Sequence, residues 1–196
     1  ETRDFTLDGQ GGYDTLTLQG DNQVDEFHAI EDQFQFIARS DTGEYRLDAS
    51  KTSGFEKVTV IDGSNAKERF RDRATIVGSE ADDVLIGNIG ERYSNGAYTR
   101  FVGDGYEYEI IGFGDVNVDG GGGDDIAFLS GSDFKDESFA TDDYAIVRNR
   151  FSAGQIRSSL LAANFTTVNF STVQNPDGSD DTVSYNGSVG DDVFVG

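Results

Sequence analysis

Aspartate is the residue type best placed to do chemistry in this chain, and it recurs at a fixed spacing. Four pairs stand 11 residues apart: Asp14/Asp25, Asp72/Asp83, Asp125/Asp136 and Asp181/Asp192. In each pair a glycine follows six residues after the first aspartate, at Gly20, Gly78, Gly131 and Gly187. The segments read DTLTLQGDNQVD, DRATIVGSEADD, DIAFLSGSDFKD and DTVSYNGSVGDD. A carboxylate presents two hard oxygen acceptors, which suit two different jobs. It ligates a hard divalent cation such as calcium, which takes roughly six to eight oxygens at about 2.3–2.6 Å. Alternatively, it accepts main-chain N–H groups at turns and strand ends and needs no metal. Acidic doublets at Asp82-Asp83, Asp124-Asp125, Asp180-Asp181 and Asp191-Asp192 concentrate the charge. The cation reading names Asp14, Asp25, Asp72, Asp83, Asp124, Asp125, Asp136, Asp181 and Asp192 as metal ligands, with calcium as the ion.

The pairs mark a repeat. Their first members are separated by 58, 53 and 56 residues. A second landmark keeps the same period: Phe55/Val58, Phe113/Val116 and Phe165/Val168, followed by Asp62-Gly63, Asp119-Gly120 and Asp177-Gly178. Self-similarity at a fixed long period is the signature of repeat architectures, in which each unit buries its apolar face against a neighbour. We expect one continuous array over 1–196, with units 8–61, 62–118 and 119–176. Residues 177–196 form a partial unit and residues 1–7 the end of a preceding one. Such phasing is expected of a piece of a longer array, or of a subunit that stacks head to tail.

The elements that position these aspartates read as strands. Leu16/Leu18, Ala74/Ile76, Ala127/Leu129 and Val183/Tyr185 alternate with polar residues. So do Phe34/Phe36, Tyr45/Leu47, Val58/Val60, Tyr106/Tyr108/Ile110, Val116/Val118 and, more weakly, Ala145/Val147. Period-two alternation with β-branched and aromatic residues marks strands. A strand of about five residues and a turn of about six fill the 11-residue spacing, so both aspartates of a pair start successive strands. The expectation is an all-β fold, a parallel β-solenoid (β-helix-like) built from repeats of about 56 residues. The alternative is another all-β repeat array or a sandwich. Few tight two-residue turns are evident. Only Gln155–Ala163 resembles a helix, and it is expected as a loop insertion or a single helical turn.

Composition excludes several classes. The formal net charge is −22, which argues against nucleic acid and anionic membranes as partners and leaves a self-repulsion that divalent cations would relieve. There is no cysteine, hence no disulfide or thiol site. No apolar run is long enough to span a bilayer. His28 is the one histidine, and it lies in a strand segment where a half-exposed position is expected. With one histidine and no G-x-S-x-G elbow, no catalytic constellation forms. Paired carboxylates cleave glycosidic bonds in other settings. Here they recur in every unit, whereas catalytic groups occur once, so an enzyme is not expected. Tyr93, Tyr98, Phe101, Tyr106 and Tyr108 cluster with Arg92 and Arg100, either as an exposed patch for sugars or protein or as packed core. Sequons stand at Asn164, Asn169 and Asn186.

Two resemblances add to this. GQGGYDTLT around Gly9 and GGGGDDIAF around Gly120 resemble the nonapeptide G-G-x-G-x-D-x-U-x of hemolysin-type (RTX) repeats. That resemblance implies a calcium-bound parallel β-roll, with Asp14 and Asp125 as ligands and Gly9, Gly12, Gly120 and Gly123 in the turns. The chain departs from it in having isolated copies instead of tandem ones. GSNAKERFRD before Asp72 lacks the glycines, and the last copy is shortened to DGSDD. The stretches GFEKVTVIDG, GFGDVNVDGGGGDDIAFLSGSDFKDESF and GSVGDDVFVG are similar to repeats of giant secreted surface proteins of planctomycete-type bacteria. That similarity implies an extracellular structural or adhesive array; with the 11-residue aspartate spacing and the charge, the expectation is an extracellular or cell-surface stalk, fibre, surface layer or adhesin arm rigidified by calcium. Its partners would be neighbouring repeats or copies of itself head to tail, and surface polysaccharide. The alternatives are a carbohydrate-binding or carbohydrate-cleaving solenoid and a self-assembling filament subunit.

Overall fold

The computed structural model describes residues 2–21, 23–40, 43–63, 72–90, 97–132, 134–150, 156–171 and 181–186. These form 17 strands and no helix. The first six are β1 (Thr2–Asp8), β2 (Thr15–Gln19), β3 (Glu26–Ile30), β4 (Gln33–Ser40), β5 (Gly43–Ser53) and β6 (Lys57–Ile61). Next come β7 (Arg73–Val77), β8 (Val84–Ile89), β9 (Ala97–Gly103), β10 (Tyr106–Ile111) and β11 (Asp115–Asp119). The last are β12 (Ile126–Ser130), β13 (Asp136–Thr141), β14 (Tyr144–Arg150), β15 (Ile156–Ala163), β16 (Thr167–Ser171) and β17 (Thr182–Asn186). Among the described residues no helix is long and apolar enough to cross a membrane.

The strands make two mixed sheets. The larger runs β1-β5-β4-β3-β7-β11-β15-β14-β13-β17, and the smaller runs β16-β12-β8-β9-β10-β6-β2. A five-strand rule generates both. The first strand of each set (β2, β7, β12) lies in one sheet. The next three (β3–β5, β8–β10, β13–β15) meander antiparallel in the other, and the fifth (β6, β11, β16) returns to pair in parallel with the first. The chain then crosses once more, so the next set begins in the opposite sheet. Successive meanders therefore fall in the larger, the smaller and again the larger sheet. Sequence period and stacking period differ for this reason. Parallel partners are 41 residues apart at Ile126 and Thr167 and 50 apart at Lys57 and Glu107, against 53 to 58 between equivalent aspartates.

All-parallel stacking is thus interrupted by the meanders. Their turns are tight: Glu31-Asp32, Asp104-Gly105 and Asp142-Asp143 each join two antiparallel strands. Asp-Gly is a strong hairpin signal, because the second residue tolerates positive φ, here +85° at Gly105. The helix-like segment is the strand β15. Ser158, Leu160 and Ala162 are buried on alternate positions, and β15 is hydrogen-bonded to both β11 and β14. Two-sided pairing overrides the local helix propensity.

The sheets face each other across one apolar cluster that includes Phe27, Phe34, Val60, Ile76, Leu85, Tyr108 and Leu160. Tyr108 of β10 stacks edge-on against Phe27 and Phe34 from the other sheet, and its hydroxyl donates to the Glu31 carbonyl at 2.7 Å. Phe101, Tyr106 and Tyr108 are core residues, so for these three the packed-core alternative holds. Tyr98 points outward and donates to Glu109 at 3.1 Å, while Tyr93 and Arg92 lie outside the described residues.

Glycine decides how closely the turns stack. A Cβ on Gly78 would collide with the Gly120 carbonyl oxygen at the end of the paired strand β11 and with Asp83 Oδ2. Cβ atoms on Gly20 and Gly131 would collide with the carboxylates of Asp25 and Asp136. This accounts for the invariant glycine inside each described aspartate pair: it sits against the second carboxylate. Gly78→Ala is expected to lower unfolding stability by about 1–3 kcal/mol through overpacking, measured by urea denaturation. Gly11→Ala, where a Cβ meets nothing within 4 Å, is expected to stay within about 0.5 kcal/mol of the parent.

Candidate functional site

The aspartates sort into two roles, both dictated by where their strands begin. The second member of each pair closes the turn in front of it. Asp25 Oδ2 accepts the Asp21 N–H at 3.0 Å, Asp83 Oδ2 accepts the Ser79 N–H at 2.9 Å, and Asp136 Oδ2 accepts the Ser132 N–H. The other oxygen takes a donor of different chemistry each time. For Asp25 it is the Arg39 N–H of β4 at 3.1 Å, and for Asp83 the Tyr106 hydroxyl of β10 at 3.2 Å. For Asp136 it is the Ser132 hydroxyl at 2.9 Å, itself held by the Asn149 amide of β14 at 2.7 Å.

The first member of a pair braces the coil behind it. Asp72 Oδ1 accepts the Asp25 N–H at 2.8 Å, Asp125 Oδ1 accepts the Asp83 N–H at 2.7 Å, and Asp181 Oδ1 accepts the Asp136 N–H at 3.0 Å. Asp14 has no aspartate above it; its N–H donates instead to Glu56 at 2.7 Å. The residues brought together are therefore Asp25 with Asp72, Asp83 with Asp125, and Asp136 with Asp181. The sequence partners 11 apart start strands in opposite sheets. Asp124 is exposed, and its N–H bonds to Asp82 at 2.9 Å. Asp192, Asp180, Asp191 and Gly187 lie outside the described residues.

These carboxylates are buried at a cost. Asp25, Asp72, Asp83 and Asp125 are fully covered and Asp136 is nearly so. Burial pushes the Asp25 and Asp136 carboxyls up to about 6 and raises those of Asp83 and Asp125. Burial, followed by the Asp62 carboxyl beside it, drives Asp72 far above the ordinary range. Asp25, Asp83 and Asp136 have both oxygens bonded. Oδ2 of Asp14, Asp72 and Asp125 is buried without a hydrogen-bond partner. An unpaired buried acceptor costs about 1–3 kcal/mol, and more when charged.

At one place three carboxylates converge. One oxygen each from Asp25, Asp62 and Asp72 lies within 4.8 Å of the others, the one such acidic group among the described residues. Asp25 and Asp72 precede β3 and β7 of the larger sheet, and Asp62 leaves β6 of the smaller. Sequence reasoning missed Asp62 as a functional residue and treated Asp62-Gly63 only as a landmark. It missed Glu56 as well. A G-x4-D spacing was available as a signal: Gly9/Asp14, Gly20/Asp25, Gly78/Asp83, Gly120/Asp125 and Gly131/Asp136 share it, and each glycine abuts its aspartate. His28 lies outward on β3, about half-exposed and 3.8 Å from Glu26.

Comparison with family models, with curated proteins and with solved structures finds no match to this chain.

Asp136 makes the electrostatics testable. It faces Ser132 and Asn149, with the Asp181 carboxylate stacked behind it. Its folded-state affinity for the proton exceeds the unfolded one, so its stabilising contribution is complete below pH ~4 and is lost as pH rises through about 6. In chelator, the stability of the parent minus that of Asp136→Asn is expected to fall by roughly 2–4 kcal/mol between pH 4 and pH 7, read by denaturant unfolding at each pH. A difference that stays flat across this range would show that Asp136 titrates normally in the fold.

Proposed function

We propose that this chain is a segment of an extracellular structural array of β-solenoid type, in which five-strand units add along one axis. The observation that carries the reading is the joint between units. Each set of five strands meets the next through a main-chain ladder in both sheets, β3/β7 with β6/β10 and then β8/β12 with β11/β15. A carboxylate–amide bond crosses the same joint. A joint of this kind carries no substrate. It makes a continuous strand stack, suited to a stalk, fibre, surface layer or adhesin arm. The place outside the cell is supported by the resemblance to giant secreted repeats and by a net charge of −22, which calcium-rich surroundings would tolerate best. Calcium at the aspartate turns would compensate the buried charge and stiffen the rod. The repetition of the carboxylates favours a scaffold over an enzyme, and the burial of Phe101, Tyr106 and Tyr108 removes the support for a sugar-stacking platform.

A cleft favours a neighbour as partner. About 400 Å³ opens at the β1–β2 edge between Leu7, Leu18, Phe36, Ala38 and Leu47, where the larger sheet extends past the smaller. Another unit, from the same kind of chain, would cover these apolar side chains and extend both sheets. Leu18→Glu is expected to abolish any concentration-dependent association seen by sedimentation velocity. Association that survives it would place the contact elsewhere.

Five strands shared between two sheets advance the stack by 2.5 strand spacings of about 4.8 Å, or about 12 Å per unit. Small-angle scattering of chains carrying successive added units is expected to show a maximum dimension that grows linearly by that step. Growth with the cube root of mass, as for a globule, would refute the rod.

A further inference from the structure

We propose that Asp25, Asp62 and Asp72 bind one calcium ion at the joint between the first two five-strand units. This narrows the calcium part of the reading above to one place, and it does not require that the rod be extracellular or long.

Two independent observations converge on the site. First, one oxygen from each carboxylate falls within 4.8 Å of the other two, close enough to share one ion with bonds of about 2.4 Å. Magnesium demands a near-ideal octahedron at about 2.0–2.1 Å and gives up its water reluctantly, so a carboxylate cluster drawn from several strands suits calcium better. Second, Asp72 is fully buried, and no amide or hydroxyl donates to its Oδ2; the Asp62 carboxyl beside it can offer only a shared proton. Its Oδ1 is already held by the Asp25 N–H, so the side chain is fixed with one oxygen left over beside the Asp62 carboxyl. A buried carboxylate facing other carboxylates needs positive charge. The donor set is oxygen only, which suits a hard cation and not zinc or copper. Asp62 is partly exposed, which gives the ion and its remaining water ligands a way in.

The next joint is built differently. There Asp119, the counterpart of Asp62, is turned away: its Oδ1 accepts the Gly121 N–H at 3.0 Å and the Asn164 amide at 2.8 Å. Asp83 takes the Tyr106 hydroxyl. The three-carboxylate arrangement therefore belongs to the Asp72 joint, in the copy that lacks the glycine-rich nonapeptide. The site is defined by the stacking of two sheets and not by the motif.

The test is calorimetric titration of the chelator-stripped 196-residue chain with calcium chloride and with magnesium chloride. One saturable calcium site is expected, with magnesium at least about tenfold weaker. Asp62→Asn leaves the Asp25–Asp72 bond intact and is expected to weaken calcium at least about tenfold, whereas Asp104→Asn, at an exposed carboxylate in the β9–β10 turn, leaves it unchanged. Thermal midpoints give a second readout: calcium should raise that of the parent and raise that of Asp62→Asn by less than half as much. Absence of saturable calcium heat overturns the proposal, since a shared proton or a basic side chain then supplies the charge. Equal binding or equal midpoint shifts in parent and Asp62→Asn also overturn it. The scattering result for added units is independent of each of these outcomes.

Discussion

The bond from an aspartate amide to the carboxylate of an aspartate in the next five-strand set fixes how the sets of this protein stack. It occurs at Asp25/Asp72, Asp83/Asp125 and Asp136/Asp181, always where a strand begins. A strand start leaves an N–H pointing along the stack with no ladder partner yet, and a buried N–H must be satisfied. The carboxylate supplies that acceptor, and once it is in place the following residues drop into parallel register. Glycine is the corollary. The second carboxylate of each pair folds back onto its own turn, and only a residue without Cβ leaves room for it.

This constraint has an electrostatic consequence. Stacking carboxylates in register buries them away from water and, to a lesser extent, brings like charges close, so the fold raises their proton affinity. The protein meets the problem differently at each level. Hairpin donors of three kinds, a main-chain amide, a tyrosine hydroxyl and a serine–asparagine relay, serve Asp25, Asp83 and Asp136. At Asp72, where a third carboxylate arrives from the opposite sheet, hydrogen bonds alone leave one oxygen over. A metal centre there would follow from the same geometry that builds the brace.

The five-strand rule also explains why the two sheets are mixed. A strictly parallel coil would cross between sheets at every strand. Here each unit lingers for three strands in one sheet before returning; three strands keep the return parallel to the first strand, and the three sheet crossings per unit make successive units swap sheets. The meander costs parallel continuity but brings in Tyr106, Tyr108 and Phe101, which fill the space between the sheets.

Much of this was legible in the chain itself. The repeat, the all-strand character and the alternation that buries Val58, Val60, Ala74 and Ile76 follow from local periodicity, because a strand sorts its faces two residues at a time. The fixed D-x5-G-x4-D spacing already marked the carboxylates as special. Tertiary structure decided which carboxylates meet. Asp14 and Asp25 are partners in sequence, yet Asp25 touches Asp72, because contact depends on how many strands the chain spends in each sheet before it returns. The same count decided that Ile156–Ala163 is a strand, since two neighbouring strands outweigh a local preference of a few tenths of a kcal/mol per residue. It also turned Asp62 toward the pair and Asp119 away from it. Nothing in the two Asp-Gly dipeptides distinguishes them; the difference arises in the side chains that each turn meets across the stack.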